Sequence, residues 1–418
     1  MAKIKKIIGR EVLDSRGYPT VEAIVQLDDG AVGSFAAPSG SSIGRHEAVE
    51  LRDGDIKRYG GKGVLKCLHN ILYVLAPRII GKDAANQVEI DKEMIQADGT
   101  SDKSRLGANT ILAISAAVAK AQSASEHSTV YKYISKLLSG TASEKFEIPT
   151  IMFNILNGGK HGGGNTDFQE FMIVPPQATS YSSNLRVGSE IYYALKEVIA
   201  NHSGITLIGD EGGYAPVLYT NADALKIIEE SIQKAGYSLG MDVFFSLDIA
   251  ASYFMEGNSY KIKDRPVALS TNDFIDYFAT LNEQYHILSL EDPLSEDDWD
   301  GWALITQKLG SKTLIVGDDL ITTNLARLNK AIEKKSCNAI VVKPNQVGTI
   351  TETLEVVKRA KEANFKIVVS HRSGETNEDF IADFAVGINA DYAKFGAPAR
   401  GERVAKYNRL LEIEYELS

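Results

Sequence analysis

Five short apolar runs constrain this chain most: Phe244–Leu247, Ile287–Leu290, Thr313–Val316, Asn338–Val342 and Lys366–Val369. Each stops at residues that can carry chemistry. They are followed in turn by Asp248, Glu291, Gly317–Asp318–Asp319, Lys343 and Ser370–His371–Arg372. Helical patterns at 222–235, 322–334 and 349–363 precede or separate them, and repeated strand–helix units imply a parallel sheet. The last three intervals between run ends are 27, 25 and 28 residues, about one βα unit each; the first is 43, room for an extra unit or a long loop. In a βα barrel the C-terminal strand ends converge on one mouth. The spacing therefore predicts Asp248, Glu291, Asp318, Lys343 and His371 around one cavity. A doubly wound sheet would align the same ends along a crevice, but no dinucleotide fingerprint follows a first strand.

The N-terminal third reads differently. Residues 3–27 alternate loosely, Asp29–Gly30 is a turn signal, and Ala31–Pro38 reads as a return strand, which together predict an antiparallel hairpin. Residues 105–138, rich in Ala, Ile, Leu and Ser, predict one or two buried helices. With 418 residues the chain exceeds one small core. We expect an α+β capping and lid domain over 1–140 and a barrel domain over 141–418, joined near Ser139–Ser143. The small residues of Ala37–Glu47 read as a mobile loop able to fold over a site in the second domain.

The net charge of −10 opposes a nucleic-acid backbone, and no basic tract reverses it locally. It leaves room for a small anionic substrate, because a few cations can invert the potential of one pocket. Cys67 and Cys337 form no disulfide framework and have no metal-spaced partners, which fits a reducing, cytoplasmic setting. No apolar run has the length of a signal peptide core or of a membrane-spanning segment.

Three carboxylates converging on one mouth repel one another unless a cation neutralises them. Oxygen donors without His or Cys point to a hard ion, first Mg²⁺, although any one of them alone is as well read as an ordinary strand-end acid. Lys343, at the end of a buried run, would have its ammonium form disfavoured near a metal and could then act as a base; otherwise it is a structural lysine. Ser370–Gly374 gathers donors suited to a phosphate or carboxylate, or is a solvated loop. The glycines of Asn157–Asn165 permit close approach to a ligand, but no P-loop lysine signature is present. Glu211, between glycines in Gly209–Gly213, faces either a pocket or solvent. A metal, a lysine base and a separate glutamate suit proton abstraction beside a carboxylate, where removal of the proton builds a doubly charged enediolate.

Taken in order, further segments carry a resemblance: Asp14–Ser15–Arg16–Gly17, Pro38–Ser39–Gly40, His46–Glu47–Ala48, Phe168–Gln169–Glu170–Phe171 and Gly209–Asp210–Glu211–Gly212–Gly213. They continue with Leu290–Glu291–Asp292–Pro293, Glu296–Asp297–Asp298–Trp299, Gly317–Asp318–Asp319, Asn345–Gln346 and Ser370–His371–Arg372–Ser373–Gly374–Glu375–Thr376. In these motifs the chain resembles the enolase family over essentially its whole length. The resemblance implies an N-terminal α+β domain before a modified (βα)₈ barrel with one antiparallel early strand. It implies reversible dehydration of 2-phosphoglycerate to phosphoenolpyruvate in glycolysis and gluconeogenesis, with two Mg²⁺ ions per site and a homodimer or homo-octamer. By resemblance, Asp248, Glu291 and Asp318 bind the tighter Mg²⁺, and Ser42 helps hold the second. Lys343 is the base, and Glu211 the acid assisted by Glu170. His161, Gln169, His371, Arg372, Ser373 and Lys394 contact substrate, Arg372 and Ser373 at the phosphate and Lys394 at the carboxylate.

The chain departs from that family at Tyr18, Ile43 and Gly162, and around Lys394 at Tyr392 and Phe395. Ile43 removes a lid hydroxyl, and Tyr392 and Phe395 are expected to add bulk near the carboxylate end of the pocket. Two other readings remain at this stage: a related lyase acting on another 2-hydroxy acid, and a non-enzymatic structural or binding protein.

Overall fold

Val21, Ala23, Val25 and Leu27 alternate along one strand and are fully buried, so one face of that strand packs on a core. In the computed structural model, which describes residues 2–41, 44–176, 180–202 and 206–418, it is β2 (Pro19–Leu27), flanked by β1 (Ile4–Leu13) and β3 (Val32–Ala36) in an antiparallel meander. The expected hairpin is therefore three strands. Residues 3–27 contain a second turn, closed by Asp14, whose Oδ1 accepts the backbone N–H groups of Arg16 and Tyr18 at 2.8 and 3.0 Å while Gly17 takes φ +78°. Two of these strands lie on the apolar helix Ala108–Ser125. At Gly33 the strand meets that helix backbone directly: a Cβ there would sit 2.3 Å from Ala117 O and Ala121 N. The helices Ala108–Ser125 and Val130–Ser139 account for the apolar stretch at 105–138.

The second sheet has the order β4-β14-β13-β12-β11-β10-β7-β6-β5, with β4 Thr150–Ile151, β5 Phe153–Asn157, β6 Glu170–Val174 and β7 Phe244–Asp248. A small hairpin, β8 (Met255–Glu256) and β9 (Ser259–Tyr260), stands outside it. The remaining strands are β10 Ile287–Glu291, β11 Leu314–Gly317, β12 Ala339–Val342, β13 Lys366–Ser370 and β14 Tyr392–Lys394. The two ends of the ladder, β4 and β5, are halves of one segment interrupted at Met152, so the sheet closes into an eight-stranded barrel. Every pairing is parallel except those of β6, which runs antiparallel to both β5 and β7. All five strands expected from the apolar runs are present, with the helix Asn221–Lys234 before the first of them and the helices Leu325–Lys334 and Ile350–Glu362 between later ones. The fold is thus an N-terminal α+β domain followed by a barrel of the modified (βα)₈ type. Met152, Met172, Val316, Val341 and Val368 fill the barrel interior, and the larger apolar cluster joins its outer face to the helices.

Local chemistry starts the helices. Thr220, Asn324 and Thr349 accept N–H groups of the first turn, and Ser270 with Asp273 forms a capping box. The helix Ile350–Glu362 is capped from the other domain as well. Ser115 Oγ accepts the N–H of Ile350 at 3.0 Å, and Asp91 accepts that of Thr351 at 3.0 Å and its hydroxyl at 2.6 Å. The Lys103–Glu352 and Lys120–Glu378 ion pairs, at 2.9 and 2.8 Å, add to that junction.

Asp91 is fully buried, and burial pushes its carboxyl up from 3.8 to about 6 against the hydrogen bonds that favour the anion. A raised folded value means that the native state holds the proton more tightly than the unfolded chain. This contribution is complete below about pH 4 and is lost as pH rises through about 6. Asp91→Asn should therefore gain on the wild type across that window, by ~3 kcal/mol at most. Urea unfolding of both proteins at several pH values checks this; a difference independent of pH would contradict it.

Candidate active site

The antiparallel strand explains how the site is assembled. Because β6 runs against its neighbours, its first residue, Glu170, arrives at the mouth where the other strands end. There Glu170 lies opposite Asp248, Asp248 opposite Glu291, and Lys394 opposite Ser370 in the ladder. Asp318 and Lys343 follow β11 and β12 directly. A tight cavity of ≈ 20 Å³ opens among them. It is lined by every sequence-predicted site residue except two. Glu291 stands behind the wall, against Lys394. Ser42 lies outside the described residues, as does Ile43. Larger hollows, of ≈ 460 and ≈ 400 Å³, lie elsewhere and gather no comparable set of groups.

Charge dominates this mouth. The Lys394 ammonium, 2 % exposed, reaches Glu291 at 2.8 Å, Glu170 at 3.2 Å and Asp248 at 3.5 Å. Burial alone would lower its affinity for a proton, but the three acids hold it well above the usual lysine range. Lys343 pairs with Asp318. Without a cation beside it, the attraction of Asp318 outweighs burial and holds the amine above its usual value. Burial opposes ionisation of Asp318 too, but Lys343 and Lys394 draw its carboxyl down to about 2. Asp248 is pushed up to about 6 by burial, with Glu170 and Asp318 adding repulsion. Glu291 is raised well above the carboxylate range by burial and by Asp248.

Glu211 stands at the tip of a tight turn, in which Gly209 accepts the N–H of Gly212 at 3.1 Å and Gly212 takes φ +88°. Its Oε2 accepts from Asn154 Nδ2 at 3.0 Å and lies 3.4 Å from His371 Nε2. His161 Nδ1 lies 3.2 Å from Glu170 and 3.4 Å from Glu211. Burial would strip His161 of its proton, but those two acids raise its value to about 10. Burial likewise opposes the Glu211 anion, yet His161 and His371 hold that carboxyl well below its usual range. The proton between them therefore rests on His161. The glycines of this region are needed for contact: a Cβ on Gly209 would meet His161 O at 2.3 Å, and one on Gly162 would meet Asn157 O at 2.2 Å. An alanine at 162 does not fit this form of the loop.

The described parts of the Ala37–Glu47 loop meet the barrel at Ser39, Ser41 and Glu47. Ser39 and Gly374 exchange backbone hydrogen bonds of 2.7 and 2.8 Å, and the Ser41 N–H donates to Ser373 Oγ at 2.7 Å. Arg372 donates to Glu47 at 2.7 Å and to Asn345 Oδ1 at 3.2 Å. Sequence reasoning quoted Glu47 only as a motif residue and missed this buried pair. It also missed Arg403, whose guanidinium ties the 371–373 loop to the Glu211 turn. Neither Tyr392 nor Phe395 lines the cavity, which corrects the expectation of added bulk there. Phe395 packs against Tyr407, with the rings tilted by 55° and 6.0 Å between centroids, and Tyr392 packs against the apolar cluster of the barrel interior.

Two groups could chelate a cation, with ligand atoms within 4.8 Å of one another: His161–Glu170–Glu211 and Asp292–Asp318–Asp319. Asp248, Glu291 and Asp318, the trio expected from sequence, are here interleaved with the two lysine ammoniums. The donor chemistry of that trio nonetheless fits a hard divalent ion. All three are buried oxygen donors, Asp248 Oδ1 has no hydrogen-bond partner among the described residues, and two of the acids resist ionisation as they stand.

Comparison with known families agrees with this architecture. Residues 4–134 match the family model described as enolase, N-terminal domain, and residues 145–418 match enolase, C-terminal TIM barrel domain. No helix among the described residues is long and apolar enough to cross a membrane.

Lys394→Met would leave three buried acids without their shared cation. We expect a loss of about 3–5 kcal/mol in metal-free buffer, and a larger rise in melting temperature on adding Mg²⁺ than in the wild type. Equal melting of the two proteins without metal would contradict the charge balance described above.

Proposed function

The chain belongs to the enolase family, and on that premise we propose that it is a Mg²⁺-dependent lyase that reversibly dehydrates 2-phospho-D-glycerate to phosphoenolpyruvate. The observation that carries this reading is the meeting of Lys343 and Glu211, distant in sequence, in one cavity with Asp248, Asp318 and the Arg372–Ser373 pair. Such a site offers a base, an acid and a phosphate fork to one small molecule.

Asp248, Glu291 and Asp318 would hold the first Mg²⁺, and Ser42 would contribute to the second. When bound, the ions supply positive charge opposite the substrate carboxylate, where charge builds as the C2 proton leaves. Lys343 is the base: its neutral amine, the form that a cation sharing the charge of Asp318 would favour, takes the C2 proton. The electron pair left at C2 spreads into the carboxylate as an enediolate. It returns to form the C2–C3 double bond as the C3 hydroxyl departs. Glu211 delivers the proton that makes that hydroxyl leave as water. His161, which carries the proton in the free site, re-supplies Glu211, and Glu170 balances the charge on His161. Gln169, His371, Arg372, Ser373 and Lys394 orient the substrate, with Arg372 and Ser373 at the phosphate and Lys394 at the carboxylate. The lid excludes water while this happens.

We place the protein in the cytoplasm, in glycolysis and gluconeogenesis, as a homodimer or homo-octamer, with the domain division at 140/141. The altered residues Tyr392 and Phe395 lend no support to a different 2-hydroxy acid, because neither lines the cavity.

The test follows phosphoenolpyruvate by its ultraviolet absorbance. The wild type should turn over 2-phosphoglycerate only with Mg²⁺, and Lys343→Ala should lower kcat by about 10²–10⁴-fold. A folded, metal-loaded wild type without signal, or a Lys343→Ala variant of equal rate, would sink this reading.

A further inference from the structure

Arg403 is fully buried on the helix Gly401–Leu417 and lies behind the site, lining no part of the cavity itself. Its Nε lies 3.5 Å from Glu402 Oε1, and its two Nη atoms make four further contacts. Nη1 lies 2.6 Å from His371 Nδ1 and 2.6 Å from Arg372 O, and Nη2 lies 2.7 Å from Ser373 O and 3.2 Å from Asp210 O. Three of these acceptors are backbone carbonyls. The fourth is a ring nitrogen whose role is open until its partner is considered. A guanidinium only donates and never gives up its charge. His371 Nδ1 must therefore present its lone pair, and the single proton of the neutral ring belongs on Nε2. That Nε2 points into the site, 3.4 Å from Glu211 Oε2, and makes no hydrogen bond of its own among the described residues. The ring is also held from the side: Gly396, at φ +91°, leaves room where a Cβ would come within 3.1 Å of His371 Cε1 and 3.0 Å of Arg403 Cδ. The His371 backbone N–H donates to Lys394 O at 3.0 Å, which fixes where the ring starts.

We propose that Arg403 is a positioning residue that locks His371 as its neutral Nε2–H tautomer, so that a fixed N–H donor faces the Glu211 side of the site. The inference rests on the enolase reading only for the use made of that donor. Arg403 couples two loops that must act together, the Glu211 turn through Asp210 O and the Arg372–Ser373 loop through its carbonyls. A purely structural brace would need only the carbonyl contacts; the contact to Nδ1 also selects a tautomer, as partners behind an active histidine commonly do.

The test uses the full chain labelled with ¹⁵N-histidine, with the His371 signals assigned by their loss in His371→Asn. Long-range ¹H–¹⁵N spectra near pH 7 should show Nδ1 unprotonated and Nε2 protonated. A protonated Nδ1, or a mixture of tautomers, in the wild type overturns the proposal. Arg403→Met, which cannot donate, should free the tautomer and lower kcat by about 10–100-fold, with part of the rate returning in Arg403→Lys. A folded Arg403→Met protein with an unchanged His371 tautomer also overturns it. If Arg403→Met does not fold, the wild-type spectrum decides alone. That spectrum is read without substrate, so a wild type that makes no phosphoenolpyruvate would remove the enolase reading and leave the tautomer result standing.

Discussion

Buried carboxylates in excess of their partners shape this molecule. Glu170, Asp248, Glu291 and Asp318 meet at one end of a barrel, almost out of reach of water, with the ammoniums of Lys343 and Lys394 threaded between them. Such a cluster is unfavourable in itself, because each anion raises the cost of the next. Burial first, and that repulsion second, make Asp248 and Glu291 resist ionisation, whereas Asp318, nearest to Lys343, does not. A fold keeps such a cluster only where rigid strands leave the side chains no other place to go, and a closed barrel provides those strands.

The rest of the structure can be read as support for that mouth. Reversal of β6 brings Glu170 to the same rim as the ends of the parallel strands, a position no regular (βα)₈ order would give to the start of a strand. The N-terminal domain caps the helix Ile350–Glu362 through Ser115 and Asp91 and lays its Ser39–Ser41 segment on the Ser373–Gly374 loop. From the other side the C-terminal helix sends in Arg403 and Lys406; the latter pairs with Glu375 at 2.9 Å. The loop bearing His371, Arg372 and Ser373 is thus gripped by two elements far from it in sequence.

Much of this was legible in the sequence because strand ends are marked by a change from apolar to ionisable residues. The five runs and their terminal Asp248, Glu291, Asp318, Lys343 and His371 fall where periodicity places them. Other features left no such mark. The turn at Asp14–Tyr18, marked only by Gly17 and the following Pro19, was read through as part of one strand. Arg403 lies in a helix rich in charged residues that no motif distinguishes, and only coordinates reveal the carbonyls around it. Protonation was the least legible: Lys343 and Glu211 were assigned by residue type, whereas their charge states follow from Asp318, His161 and His371 across the fold. The bulk attributed to Phe395 turned outward because strand residues alternate and Lys394 already faces in.

Calorimetric titration of the full chain with Mg²⁺ tests the carboxylate cluster most directly, since it needs neither substrate nor turnover. The account predicts saturable binding that is abolished or greatly weakened in Asp248→Asn, Glu291→Gln and Asp318→Asn, with each variant still folded. Binding of equal strength in all three variants, or none in the wild type, would contradict it.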